Sequence, residues 1–73
     1  MKPEPAAAIT VRQKHNIPNT HHYSTTMPNG DIVFSFCDED ISVHVDGTAT
    51  RSWMGFSPIT DQHHFYEEEW CSQ

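Results

Sequence analysis

Histidines and cysteines are the residues of this chain best suited to chemistry. The sequence holds six of the former and two of the latter, at His15, His21, His22, His44, His63, His64, Cys37 and Cys71. Imidazole and thiolate are the usual zinc ligands, but neither cysteine belongs to a Cys-x-x-Cys pair. Neighbours such as His21 and His22 face opposite ways in a strand, so they do not easily share one ion. We expect no metal and no cofactor, with a small His-rich metal-binding domain as an alternative.

A catalytic site has little support in the sequence. Cys37 and His44 have the residue types of a nucleophile and a base, but no third group is apparent. The chain has no Gly-rich phosphate loop and no Ser-centred elbow. At 73 residues it also has little interior to hold a substrate. We therefore expect a protein that is not an enzyme and that binds through its surface.

Acidic and aromatic side chains are the best candidates for such binding. Asp38, Glu39 and Asp40 are consecutive, without the spaced ligands and glycine of a calcium loop. They are typical of a solvated hairpin tip, and they suit contact with Lys or Arg of a partner. Tyr66 and Trp70 are candidate anchors because such rings dominate interface hot spots.

Charge is unevenly distributed along the chain. Residues 1–14 contain Lys2, Arg12 and Lys14 against Glu4, which gives a net charge of +2. Residues 15–73 contain one arginine against nine carboxylates, a net charge of −8, and the whole chain is at −6. An acidic body of this kind is repelled by free nucleic acid and attracted to basic protein surfaces. Acidity that serves only solubility is the plain alternative.

The centre of the chain has the alternation of an antiparallel sheet. The predicted strands are Tyr23–Met27, Ile32–Cys37, Ile41–Val45 and Thr48–Met54. Pro28-Asn29-Gly30 predicts a type I turn with a bulge, and Asp46-Gly47 predicts a type I′ hairpin. These signals together predict a small β-meander of about four strands.

The two ends are harder to assign. Met1–Ala8 is rich in proline and alanine and predicts a disordered tail, with an extended segment at Ile9–Arg12. Apolar residues between Ile59 and Trp70 share a helical face, which favours a short C-terminal helix begun at Ser57. We expect a mainly β class (α+β if that helix exists), with a flexible basic arm at 1–14 and an acidic domain at 15–73.

No apolar stretch reaches the ~20 residues of a membrane span, and the first residues lack the apolar region of a signal peptide. We expect a monomeric cytoplasmic protein without membrane contact. Its two thiols are then expected to be reduced.

The chain length, the arm from Met1 to Lys14 and the compact body from His21 onward together resemble a known class. They are similar to small early proteins of lytic phages, including Xanthomonas phages, that bind host bacterial RNA polymerase. The resemblance implies a transcription regulator that inhibits initiation, promotes antitermination or does both. It further implies docking on the largest polymerase subunit, at its N-terminus, with the arm near the RNA exit channel and nucleic acid only in proximity.

The favoured hypothesis is thus a regulator that docks on a basic host protein surface. Its expected contact residues are Lys2, Arg12, Lys14, Asp38, Glu39, Asp40, Tyr66 and Trp70. An acidic mimic of nucleic acid that inhibits another host DNA-binding enzyme is a further alternative. A structural or assembly component is the last.

Overall fold

The computed structural model describes residues 4–70, which form one helix and five strands. These elements are α1 (Ala6–Lys14), β1 (Tyr23–Thr26), β2 (Ile32–Ser35), β3 (Asp40–Val43), β4 (Ala49–Ser57) and β5 (Gln62–Glu69). The strands form one open antiparallel sheet in sequential order, β1-β2-β3-β4-β5. The expectation of a mainly β meander is confirmed, with five strands in place of four.

The β1–β2 turn follows its sequence signal closely. The N–H of Gly30 donates to the carbonyl of Met27 at 2.9 Å, and the N–H of Met27 donates to the carbonyl of Asp31 at 2.7 Å. Gly30 has φ +96°, the left-handed conformation that closes a type I turn with a bulge. A Cβ at this position would also lie 2.8 Å from Cγ1 of Val45.

The β3–β4 turn repeats this geometry, so the expectation of a type I′ turn is wrong. The N–H of Gly47 donates to the carbonyl of His44 at 2.9 Å, and the N–H of His44 donates to the carbonyl of Thr48 at 2.8 Å. Only Gly47 has a positive φ here, +92°, whereas a type I′ turn needs two such residues. The side chain of Asp46 supports the bulged turn by accepting the N–H of Thr48 at 2.9 Å.

The expected C-terminal helix is also wrong, because the chain from Gln62 to Glu69 is strand β5. Strand β4 continues without a break through Gly55 to Ser57, and the chain reverses over residues 58–61. Asp61, with φ +58°, donates its N–H to the carbonyl of Ser57 at 2.8 Å. Pairing with β4 satisfies the backbone of this segment and avoids placing three glutamates at a helix C-terminus.

The core lies on one face of the sheet, under helix α1. Its buried residues are Ala8, Ile17, Ile32, Phe34, Ile41, Val43 and Ala49, with Val11, Phe36 and Trp70 packed around them. Phe34 is the one large side chain among residues 4–70 that is completely enclosed. The core is small, as expected for a short chain.

Helix α1 shows that the extended segment expected at Ile9–Arg12 is wrong, as is disorder at residues 6–8 of the expected tail; residues 1–3 lie outside the described residues. Ala8 is fully buried, and the helix contacts β1. Alanine is the strongest helix former, and Arg12 and Lys14 lie in the last turn, where cations are favoured. Lys2 lies outside the described residues. Among residues 4–70, no helix is long and apolar enough to cross a bilayer.

The burial of Ala8 leads to a stability prediction. Ala8→Asp should lower the free energy of unfolding by about 2–4 kcal/mol, because a carboxylate would enter the core without a partner. Ala7→Asp is the matched control on the exposed side of the same helix, with an expected change within about 0.5 kcal/mol. Urea denaturation followed by tryptophan fluorescence measures both. Equal stability of the two variants would contradict the packing of α1.

Candidate functional site

The far end of β4 and β5 extends beyond the rest of the sheet. Strand β3 pairs only with Ala49–Ser52, whereas β5 pairs with β4 as far as Ser57. Residues 53–57 and 62–66 therefore form a two-stranded ribbon, which is the name used for them below. At ~3.4 Å per residue, the ribbon is ~17 Å long.

One face of the ribbon is apolar and open to solvent. Met54, Phe56 and Phe65 are 60%, 54% and 63% exposed, respectively. Met54 lies directly opposite Phe65, and Phe56 lies opposite His63 with the two ring centroids 5.5 Å apart. Large exposed side chains gathered on one face of a small protein are typical of an interaction surface. This group is called the apolar face.

The opposite face of the ribbon carries a stack of flat groups. The guanidinium of Arg51 lies 4.4 Å from the ring centroid of Trp53, and Trp53 stacks on Tyr66 with centroids 5.6 Å apart and planes at 21°. Gly55 makes room for this stack, because a Cβ there would lie 3.0 Å from Cε2 of Tyr66. Cation–π and aromatic pairing together stabilise a ribbon that has no core behind it.

Arg51 also connects the ribbon to the β2–β3 turn. It donates hydrogen bonds to the carboxylate of Glu39 and, at 3.0 Å, to the carboxylate of Glu68. The bond to Glu39, followed by that to Glu68, raises the pKa of Arg51 above its ordinary value. Glu39 is thus held within the protein by an ion pair, while Asp38 is exposed.

Carboxylates border the apolar face at the end of the ribbon that joins the five-stranded sheet. Asp40 pairs with Ser52, and Ser52 pairs with Glu67, so the three side chains form one row on the same face as Met54 and Phe65. A groove of about 370 Å³ lies between this row, Asp38 and the ribbon. The structure therefore brings Asp38 and Asp40 together with exposed apolar side chains.

The basic residues expected to bind a partner lie elsewhere. Nε of Arg12 donates to Glu4 at 3.1 Å, and its guanidinium also contacts Asn19. Lys14 is exposed at the end of α1, and α1 packs near β1, at the opposite edge of the sheet from the ribbon. Arg12 and Lys14 therefore lie away from the acidic and apolar side chains around the ribbon.

The two expected aromatic anchors differ in position. Tyr66 is at the surface of the ribbon, 36% exposed, within the stack on Trp53. Trp70 packs against the core, and its N–H donates to the carbonyl of Ala49 at 3.0 Å. Met54, Phe56 and Phe65 were not among the expected contact residues. Apolar residues do not alternate over residues 62–69, so no strand-like pattern indicated this face in the sequence.

Three polar residues form a chain of hydrogen bonds that the sequence did not reveal. Nδ1 of His44 lies 3.0 Å from Oδ2 of Asp31, and its Nε2 lies 2.8 Å from Oγ1 of Thr50. The order of groups is that of a hydrolytic triad. Thr50, however, lines neither the 370 Å³ groove nor a neighbouring groove of about 500 Å³ beside His22. Asp31 also accepts the N–H of Val45 at 3.1 Å, so the chain joins the β1–β2 and β3–β4 turns.

Thiols and histidines are dispersed in the folded chain. Cys37 is a free, exposed thiol in the β2–β3 turn, while Cys71 lies outside the described residues. Within residues 4–70, no three His, Cys, Asp or Glu side chains are grouped so as to hold a metal ion.

The chain matches no protein-family model, no curated protein and no solved structure.

The Asp31–His44 bond makes stability depend on acidity. The hydrogen bond from His44, then that from Val45, lowers the pKa of Asp31 below its ordinary value of 3.8. A carboxyl group whose pKa is lower in the folded protein than in the unfolded chain stabilises the fold at pH values above its unfolded pKa. This stabilisation is lost as the pH falls through the folded pKa. Asp31→Asn should therefore reduce Tm at pH 7, and the difference from wild type should shrink below about pH 4.

The control for this prediction is Asp61→Asn, which removes the same charge from an exposed residue whose left-handed φ asparagine tolerates. Its Tm should stay close to wild type across the same pH range, as followed by circular dichroism. A constant Tm difference for Asp31→Asn between pH 7 and 2 would show that Asp31 does not act through its charge.

Proposed function

We propose that this protein is a small non-enzymatic regulator that works by docking on another protein through its ribbon. The observation that carries the proposal is the apolar face, where Met54, Phe56 and Phe65 are more than half exposed. Exposing such side chains has a free-energy cost unless a partner covers them. A binding surface is the functional explanation for their position on one face.

The chemistry of the surface indicates the chemistry of the partner. Asp40 and Glu67 lie in the row next to Met54 and Phe65, and Asp38 borders the adjacent groove. Carboxylates repel the phosphates of nucleic acid and attract lysine and arginine. The complementary partner is a protein surface that combines exposed apolar groups with basic ones.

Basic surfaces are characteristic of enzymes that handle nucleic acid, because lysine and arginine neutralise its phosphates. Together with the resemblance to polymerase-binding phage proteins, this supports host bacterial RNA polymerase, in the host cytoplasm, as the partner. We further propose that docking on its largest subunit changes initiation or termination. Because Arg12 is held by Glu4 and Asn19, docking is assigned to the ribbon, and no reach into the RNA exit channel is assigned to α1.

The proposal predicts which substitutions weaken docking. Met54→Ser and Phe65→Ser should each weaken capture of the polymerase by about tenfold or more, as expected for interface anchors. Both side chains are mainly exposed, so the fold should be retained. Val45→Ser is the matched control, because Val45 is 73% exposed at the β3–β4 turn, the opposite end of β4.

The measurement is binding of purified bacterial RNA polymerase to the immobilised full chain, with in vitro transcription as the functional readout. Affinity should fall as salt is raised, because attraction between exposed charges is screened over ~10 Å at 0.1 M. Failure of the wild-type chain to bind polymerase would overturn this partner. Equal binding by Phe65→Ser and Val45→Ser would overturn the ribbon as the docking surface.

A further inference from the structure

The backbone of β4 has an open edge in the ribbon, and its hydrogen-bonding pattern can be derived. In an antiparallel pair, every second residue exchanges both backbone hydrogen bonds with its partner. His44 donates its N–H to Thr48 across the β3–β4 pair, and Trp70 donates to Ala49 across the β4–β5 pair. Even-numbered residues of β4 therefore point their N–H and C=O groups toward β3, and odd-numbered residues point theirs toward β5.

Met54 and Phe56 are even-numbered residues beyond the end of β3. The last pair between the two strands joins Asp40 to Ser52. Before Asp40 the chain turns away into β2, with the N–H of Phe36 donating to the carbonyl of Glu39 at 2.7 Å. Two N–H and two C=O groups of β4 thus face the position that a longer β3 would occupy, without a strand beside them among residues 4–70.

The vacant position coincides with the groove of about 370 Å³. Asp38 and Asp40 line its β3 side, while Trp53, Met54 and Phe65 line its ribbon side. A single extended chain laid in this groove would continue the line of β3. Its backbone would meet the open groups of Met54 and Phe56, and its basic side chains would reach the two aspartates.

The two edges of the ribbon differ in what lies beside them. On the outer edge, β5 continues past the ribbon into the three glutamates from Glu67 to Glu69. Charged residues are a common means by which exposed edges avoid pairing with another chain. The open stretch of β4, Trp53–Ser57, has no charged residue at all. It borders the groove lined by Asp38 and Asp40, so an added basic strand meets carboxylates of opposite charge there.

We propose that the open edge of β4 binds an extended, basic and apolar segment of the partner by strand addition. The inference rests on the proposed function and specifies how the ribbon engages its target. Backbone hydrogen bonds to Met54 and Phe56 supply affinity, as in other sheet-edge complexes. Lysine side chains supply selectivity, because their stems lie along Met54 while their ammonium groups reach Asp38 and Asp40.

The direct test is amide hydrogen exchange of the full chain, measured residue by residue by NMR. The probe is a synthetic peptide that alternates lysine and valine over about eight residues, a common strand length. Without peptide, the amides of Met54 and Phe56 should exchange fast, while those of Trp53 and Gly55 are protected by β5. With saturating peptide, Met54 and Phe56 should become protected by about tenfold or more, since opening then requires release of the peptide.

Two peptide controls separate strand addition from charge attraction. A glutamate–valine peptide should not bind, because its charges oppose Asp38 and Asp40. A lysine–valine peptide N-methylated at alternate residues keeps its charge but loses the N–H groups on one edge. The methyl groups can be placed on either of the two sets of alternate residues. If neither placement weakens binding relative to the unmethylated peptide, strand addition is overturned.

A pair of proline variants gives the matched test on the protein. Phe56→Pro removes an N–H that faces the groove, whereas His63→Pro removes an N–H from the outer edge directly opposite. Neither breaks a bond between β4 and β5 by the pattern derived above. His63→Pro should retain peptide binding. Phe56→Pro should weaken it clearly more than Phe56→Ala does, because both variants lose the ring but only proline also loses the N–H. Circular dichroism checks that each variant keeps its strands.

These results distinguish failure of strand addition from failure of the proposed function. Loss of polymerase binding in Phe65→Ser, with Phe56→Pro and Phe56→Ala binding equally, would overturn strand addition and leave docking through side chains. Protection of Met54 and Phe56 that grows with protein concentration, without peptide, would assign the edge to a second copy of the chain and overturn a basic partner segment.

Discussion

The difference in length between β3 and β4 governs the surface of this protein. Strand β3 has four residues and β4 has nine, so more than half of β4 has β5 as its one neighbour. An isolated two-stranded ribbon is marginally stable in water. Here it remains continuous with a five-stranded sheet, and the stack of Arg51, Trp53 and Tyr66 reinforces it from one side. The other side of the ribbon is the apolar face, whose side chains are exposed to solvent.

The two edges of the sheet are used differently. Near β1, helix α1 brings Ala8 over the core, and the enclosed ring of Phe34 anchors a cluster of mostly small and branched side chains. Near β5, no helix covers the sheet within residues 4–70. A short chain has too few apolar residues to bury the whole sheet, so a core is built near β1 and not near β5. Stability is therefore concentrated at one edge, while the ribbon at the other presents Met54, Phe56 and Phe65.

Electrostatics connects the exposed ribbon to the body of the protein. Arg51 joins Glu39 in the β2–β3 turn to Glu68 in β5, so the cation nearest the ribbon is already engaged. The surface around it keeps a negative balance through Asp40 and Glu67. This arrangement favours a basic partner and discourages self-association by charge. In the proposed complex, apolar side chains, carboxylates and open backbone groups act on one partner segment at the same time.

The sequence by itself determined the features that depend on neighbours along the chain. The mainly β class, the first four strands and the bulged turn at Gly30 follow from alternation and turn residues within a few positions. What only the tertiary structure decided depends on distant partners. Helix α1 is held by burial of Ala8, and β5 is held by β4, although its apolar spacing also suits a helix. The Asp31–His44 bond likewise joins two separate turns. Local patterns carry no information on such contacts, because the free energy that selects them arises when the segments meet.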